Sequence, residues 1–192
     1  MRFNNIFIFL FIIGFSTPAF AQKYISSENV EITKEWNGNN FTSTQTFSEN
    51  IAEAPQFAIL SKILKDSKLQ SSLEAKEMIT IFAITDDAFL QLPKKSRDSI
   101  IGNTALMTAM VKYLTIPGRV DSNSLKDEIK KNNGKTYVRT LNGEALGIQE
   151  NNGKLQLVDS ENRTATIVAS DFYHKNGFFH IVSGLVFPAV EE

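Results

Sequence analysis

The chain has no cysteine, only two histidines and one tryptophan in 192 residues, and almost no net charge, formally −1. Without cysteine no disulfide can form, so stability must come from a packed core, which a chain of this length can bury. A zinc site needs three or four His, Cys or carboxylate ligands in tetrahedral reach, and His174 and His180 alone do not supply them. Near-neutral charge leaves no concentrated basic face for nucleic acid. No apolar run reaches the roughly 20 residues that span a bilayer. No Gly-x-Ser-x-Gly elbow is present to seat a serine nucleophile.

What is there begins with Ile6 to Phe15, an unbroken apolar run of about ten residues after Met1-Arg2. Pro18 breaks the run, and Ala19-Phe20-Ala21 has the small-x-small pattern of a cleavage site. Residues 1–21 therefore read as a signal peptide, and the short run argues against an uncleaved anchor. The mature chain would start at Gln22, which is not the cysteine of a lipid-anchored protein. Export to the periplasm or beyond is expected.

Residues 22–45 are polar, with Trp36 and a turn-like Asn37-Gly38-Asn39-Asn40 cluster. They read as an N-terminal extension lying outside the compact domain, one that could add a strand or remain loose. Helical signals start at Ser48, a candidate N-cap. Pro55 suits the first turn of the next helix, and Phe57, Leu60 and Leu64 make one apolar stripe. An irregular piece through Leu69 and Leu73 follows. Thr80 to Ile84 is a strand, after which Thr85 can cap a helix turn carrying Asp86, Asp87 and Phe89. Asn103 caps the clearest helix, with Leu106, Met107, Met110, Val111 and Leu114 on its apolar face. Ser122 starts another, with Leu125 and Ile129 inward, and Asn133-Gly134 closes it. The character then turns to β: five short strands follow between Thr136 and Val182, punctuated by Asn142-Gly143, Asn152-Gly153 and Asn176-Gly177. Helices first and strands after is the α+β pattern, an antiparallel sheet with helices packed at one side.

Four segments in this order resemble those of fasciclin-like domains. Thr46 to Leu69 is similar to the family's opening helices. TIFAITDDAFLQLP (Thr80 to Pro93) resembles its first signature, through Phe82, Ala83, Thr85, Asp87, Ala88, Phe89 and Pro93. YLTIPGRV (Tyr113 to Val120) resembles the central segment. NGFFHIVSGLVFP (Asn176 to Pro188) resembles the second signature, through Asn176, Gly177, His180, Ile181, Val182 and Pro188. The resemblance implies a fasciclin-like domain over residues 46–188, a β-sandwich or wedge with helices at one side, and a tail over 189–192. It also implies a secreted, non-enzymatic adhesion module. The family's central Tyr-His pair is tied to integrin recognition in animal relatives. Here Leu114 follows Tyr113, so that mode is not implied, and Ser183 replaces an acidic residue common after the last strand.

Other chemistry fares poorly. His180 sits mid-strand among Phe179, Ile181 and Val182, where an imidazole normally serves as a hydrogen-bonded structural residue. Asp121-Ser122-Asn123 is a poor calcium loop, because position five is Leu125 and the required glycine is missing. Asp86 and Asp87 are adjacent and share no helix face, which suits capping rather than acid–base catalysis. Lys126, Lys130 and Lys131 alternate with Asp127 and Glu128 as on a solvated face. No cofactor is expected. By analogy the partner-binding residues are Tyr113, Pro117 and Arg119, of types common at interface hot spots, against the alternative that Tyr113 is packed in the core. The expected partner is a protein, matrix or cell-surface component. A glycan or small-molecule carrier is the competing reading, and a hydrolase using His174 or His180 a third.

Overall fold

A computed structural model describes residues 30–65 and 67–189. The expected signal peptide, the first part of the 22–45 extension and the last residues of the tail lie outside the described residues.

The chain pairs with itself before the expected boundary at Thr46. Strands β1 (Thr33–Trp36) and β2 (Asn39–Thr42) form a hairpin whose turn, Asn37-Gly38, takes φ of 48° and 77°. That left-handed pair matches the twist of the strands it joins. Phe41 is 1% exposed and meets Phe57, Phe172 and Phe179 edge-on, with centroids 6.4, 5.4 and 5.2 Å away. The buried Asn50 side chain accepts from Thr42 N (2.7 Å) and donates to Thr42 O (2.9 Å). So the segment 33–42 does not lie outside the compact unit, which begins at Glu31. One inward aromatic in a polar stretch is too faint a period-2 signal to reveal a strand, yet it anchors the hairpin.

Seven α-helices follow among the described residues. Helix α1 (Phe47–Ala52) is capped by Thr46: its hydroxyl accepts from Glu49 N, and the Glu49 carboxylate accepts from Thr46 N. That capping box in Thr-Phe-Ser-Glu, rather than Ser48, sets the start. Pro55 opens a 3-10 turn (Pro55–Phe57) leading into α2 (Ala58–Leu64), which buries Leu60 and Leu64. The stretch expected to be irregular is α3 (Ser67–Glu74), burying Leu69 and Leu73 at i, i+4. Then come α4 (Asp86–Leu90), α5 (Lys94–Gly102), α6 (Thr104–Tyr113), and α7 (Ser122–Lys131). Asn103 caps α6, accepting from Leu106 N at 3.0 Å. Gly134 N reaches back to Ile129 O (2.8 Å) to end α7.

The main sheet joins β3 (Ile79–Ile84), β4 (Thr115–Pro117), β5 (Lys135–Arg139), β6 (Ala145–Asn151), β7 (Lys154–Val158), β8 (Thr164–His174) and β9 (Gly177–Ser183), in the order β4-β3-β9-β8-β7-β6-β5. The α+β class holds, with one departure: β3 and β9 run parallel while every other pair is antiparallel. Every residue of β3 is buried, as parallel strands covered on both faces require. Ile79, Ile81 and Ala83 with Phe179 and Ile181 face the hairpin and α1–α3. Phe82, Ile84 and Val182 face α4, α6, α7 and the meander of β5–β8. Helices thus cover both faces of the central pair, not one side of the sheet. The sheet also curls, and Leu141 N, just past β5, donates to Thr115 O of β4 at 2.8 Å. At the start of β9, a Cβ on Gly177 would lie 1.7 Å from Ile79 O, so only glycine permits this approach.

Replacing Phe41 with alanine should therefore cost about 3–5 kcal/mol, read as a lower urea midpoint with unchanged slope. A hairpin that contributed nothing to the core would leave the midpoint where it was.

Candidate functional site

The two signature segments lie side by side, with Phe82 opposite His180 and Thr80 opposite Phe178. Their apolar side chains build the two core faces. Two polar ones, Thr80 and His180, are fully buried and must find partners. Both find them in the loop that runs from Gly118 to Asp121 between β4 and α7.

The Thr80 hydroxyl donates to Gly118 O (2.8 Å) and accepts from Val120 N (2.9 Å). His180 accepts from Asp171 N at Nδ1 (3.2 Å), so its proton sits on Nε2, which donates to Val120 O (2.8 Å). The Phe82 ring stacks on the imidazole at 5.5 Å. Asp171 sits at a break in the β8–β9 register, in the left-handed region at φ 61°, a conformation aspartate tolerates. Its carboxylate accepts from Ser122 N (2.7 Å), the Ser122 hydroxyl and the Ser170 hydroxyl (3.0 Å). Gly118 N donates to Met78 O at 2.9 Å. The loop is thus pinned at Gly118, Val120 and Ser122.

Electrostatics follow from this geometry. Burial lowers the His180 pKa, against the opposing pull of the Val120 carbonyl and Asp171. Burial pushes the Asp171 carboxyl up, but the Ser122 donors outweigh it and the net shift is down. His174, 1% exposed, donates from Nε2 to Phe178 O (3.1 Å), and burial lowers its pKa to about 4. Ser122, Asp171 and His180 have the residue types of a hydrolytic triad in the wrong order. The serine hydroxyl is bonded to the aspartate, and both imidazole nitrogens are engaged with backbone.

The residues expected to bind a partner separate. Pro117 and Arg119 are exposed on the turn that this clamp holds. Tyr113 is not presented with them: at 1% exposure it belongs to the core, its hydroxyl 3.5 Å from Ala145 O. Burial, reinforced by Asp159 and Glu144, pushes its phenol up to about 12. A tyrosine at the inward-facing end of α6 completes the apolar face of that helix, and the packing reading weighed for it is the one realised. Asp86 caps, as expected, but a different helix: its carboxylate accepts from Ala58 N (3.1 Å) and Ile59 N (3.0 Å) of α2, while Thr85 makes no side-chain cap. Asp171 and Ser122 escaped the sequence reading as members of this cluster. The available signal was Ser170-Asp171, a polar pair interrupting the alternation of β8.

A histidine whose folded pKa lies below its unfolded value binds its proton more tightly when unfolded, so stability is full above about pH 6.5 and falls as the pH drops. For His174 the loss approaches about 3 kcal/mol by pH 4. Asp159 and Asp171, both lowered, add a further loss in the same direction as the pH falls below the ordinary aspartate value of about 3.9. Thermal midpoints should be level from pH 8 to 7 and decline steadily from pH 6.5 to 4. A midpoint that rose over that range would contradict the neutral, buried imidazoles. Thr80→Val should cost about 1–3 kcal/mol by leaving Val120 N and Gly118 O without a partner, and should broaden backbone amide resonances from 118 to 122.

The matches to known proteins agree with this arrangement. The fasciclin domain family model matches residues 55–188, more than half of the chain. Protein sll1483 of Synechocystis sp. is 25% identical over 180 residues, covering 93% of this chain and 91% of that protein. Among solved structures, a domain pair from the insect cell adhesion molecule fasciclin I superposes with a TM-score of 0.62 at 10% identity, over 82% of this chain and 67% of that one. Such low identity speaks for the fold alone. Fasciclin domains are generally adhesion-type modules and typically carry no enzymatic activity. With the family model spanning both signature strands and the loop they pin, the chain belongs to the fasciclin domain family.

Proposed function

We propose that this protein is exported and acts as a non-enzymatic adhesion or interaction module, binding a protein, matrix or cell-surface partner through the Pro117–Arg119 turn. The observation that carries the reading is how the signature segments spend their polar groups. Thr80, His180 and Asp171 are all committed to backbone and hydroxyl partners in one loop, while Pro117 and Arg119 at its start stay exposed. A clamped turn loses little conformational entropy on binding, which favours affinity. Arg119 offers a planar charged group of the kind enriched at hot spots, and Met78, 42% exposed, accepts at its backbone carbonyl from Gly118 N of the same turn. Export rests on the leader sequence and on the extracellular habit of the family.

The competing carrier reading would need an enclosed site of about 300 Å³ or more with converging polar groups. The apolar cavity between Leu60, Phe82, Phe89 and Met110 is about 10 Å³, room for a single water, so such a ligand would have to bind in the polar cleft of about 290 Å³ lined by Thr46, Glu74, Lys175 and Asn176.

The test uses the mature chain as bait on envelope and secreted fractions of the source cell. Binding should fall at least tenfold with Arg119→Glu, and further when Pro117→Ala is added, at an unchanged thermal midpoint. Undiminished binding by the folded double variant would remove the turn as the contact site. N-terminal sequencing of the exported product should start at Gln22.

A further inference from the structure

The sheet splits between β7 and β8. Their ladder runs from Val158↔Thr164 to Gln156↔Thr166 and stops. Each strand keeps its other neighbour to the end: β6 and β7 pair as far as Asn151↔Lys154, and β8 and β9 as far as His174↔Gly177. Beyond Gln156, Lys154 and Leu155 on one side face the irregular stretch Ile167 to Asp171 on the other, where β8 bulges twice against β9. The result is a groove of about 160 Å³ lined by Ser122, Lys126, Lys154, Leu155, Val168 and Ser170.

Three observations give this groove a chemistry. It opens where two strand edges part, so an extended chain laid along it can meet backbone groups left unpaired past Gln156 and Thr166. Its charge is of one sign. Lys126 from α7 and Lys154 at the start of β7 flank it, and neither is in an ion pair among the described residues. Asp127 and Glu128 follow Lys126 on α7 but do not line the groove, while Asp121 is engaged with Ser124 N and Asp171 with Ser122 and Ser170. Those same bonds occupy amides at the start of α7, so the recognition charge comes from the lysines and not from the helix end. Val168, 49% exposed on the bulge, offers an apolar contact between the charges.

We propose that this groove docks an extended acidic peptide segment of a protein partner, laid along the parted edges of β7 and β8 with its carboxylates on Lys126 and Lys154. The proposal rests on the interaction-module reading and gives it a second contact. The pinned loop links the two, since it starts at the Pro117–Arg119 turn and ends at Ser122 on the groove wall. Alternating side chains of a strand suit such a site, with acidic residues toward the lysines and small apolar ones toward Leu155 and Val168.

The test titrates the mature chain with a short blocked peptide of alternating Glu and Val at low salt, followed by amide chemical shifts. Shifts should concentrate at Ser122 to Lys126, Gly153 to Leu155 and Ile167 to Ser170. Affinity should fall with added salt and by at least tenfold in Lys126→Glu with Lys154→Glu. Reversing Lys94 and Lys95 on α5 instead should leave affinity unchanged, and a Lys-Val peptide should not bind. If the charge-reversed groove variant does not fold, Lys126→Gln with Lys154→Gln serves in its place, with a smaller loss expected. Shifts spread over the surface, an equal loss in the α5 variant, or no binding at all would overturn the groove. None of these would touch the Arg119 result with the natural partner, so failure here and failure of the interaction reading remain distinguishable.

Discussion

Pairing β3 with β9 is the constraint from which the rest follows. A parallel pair buried on both faces cannot hide polar side chains without giving them partners. Thr80 and His180 lie on the same side of that pair, across adjacent strands. Their hydrogen-bonding capacity is met by a segment nearly 40 residues from one and 60 from the other in sequence. The cost of burying two polar groups is offset only if that loop is always in place. Burial of the signature strands and fixation of the surface loop are therefore a single requirement.

This explains why His180 is poorly placed to serve as an acid or base. A general base needs a free lone pair near a substrate proton. His180 has one nitrogen donating to Val120 O and the other accepting from Asp171 N, inside a fully buried ring stack. Freeing Nε2 would strand Val120 O in the loop, and freeing Nδ1 would strand Asp171 N. The imidazole is fitted to a neutral, bridging role, for which histidine is well suited because it can donate and accept at opposite ends of one rigid ring.

Much of the fold was legible because its signals are local. Asn103 before an apolar 3.6-residue period, Asn-Gly between strands and the Leu60/Leu64 stripe each read directly as the elements they form. Three features were not. The hairpin of β1 and β2 depends on Phe41 alone, and its pocket is made of rings from residues 57, 172 and 179, which no window of sequence holds together. Helix α3 has only Leu69 and Leu73 in an otherwise polar run, so tertiary burial rather than propensity decides it. The parallel arrangement of β3 and β9 is set by what lies between them. Of the candidate site, Pro117 and Arg119 were readable as an exposed turn. The inward direction of Tyr113 depends on how far round α6 the core wraps, past the face that Met110 and Val111 already mark in the sequence.

The missing cysteines return here with a physical consequence. A disulfide would tie distant parts of the chain by restricting the unfolded state. This protein ties them in the folded state, with side chains that reach distant backbone. Asp86 holds the start of α2, Asp159 holds Phe187 N at 3.0 Å near the end of the described chain, and Asn176 donates to the carbonyls of Leu73 in the last turn of α3 and of Lys76 just beyond it. Each such tie is worth about 1 kcal/mol net when made, more where the acceptor is charged, but more again when broken, because a buried group is then stranded. A scaffold held this way unfolds cooperatively rather than fraying at its loops. That is the property a module needs if its surface turns are to keep their shape while the residues they expose are free to change.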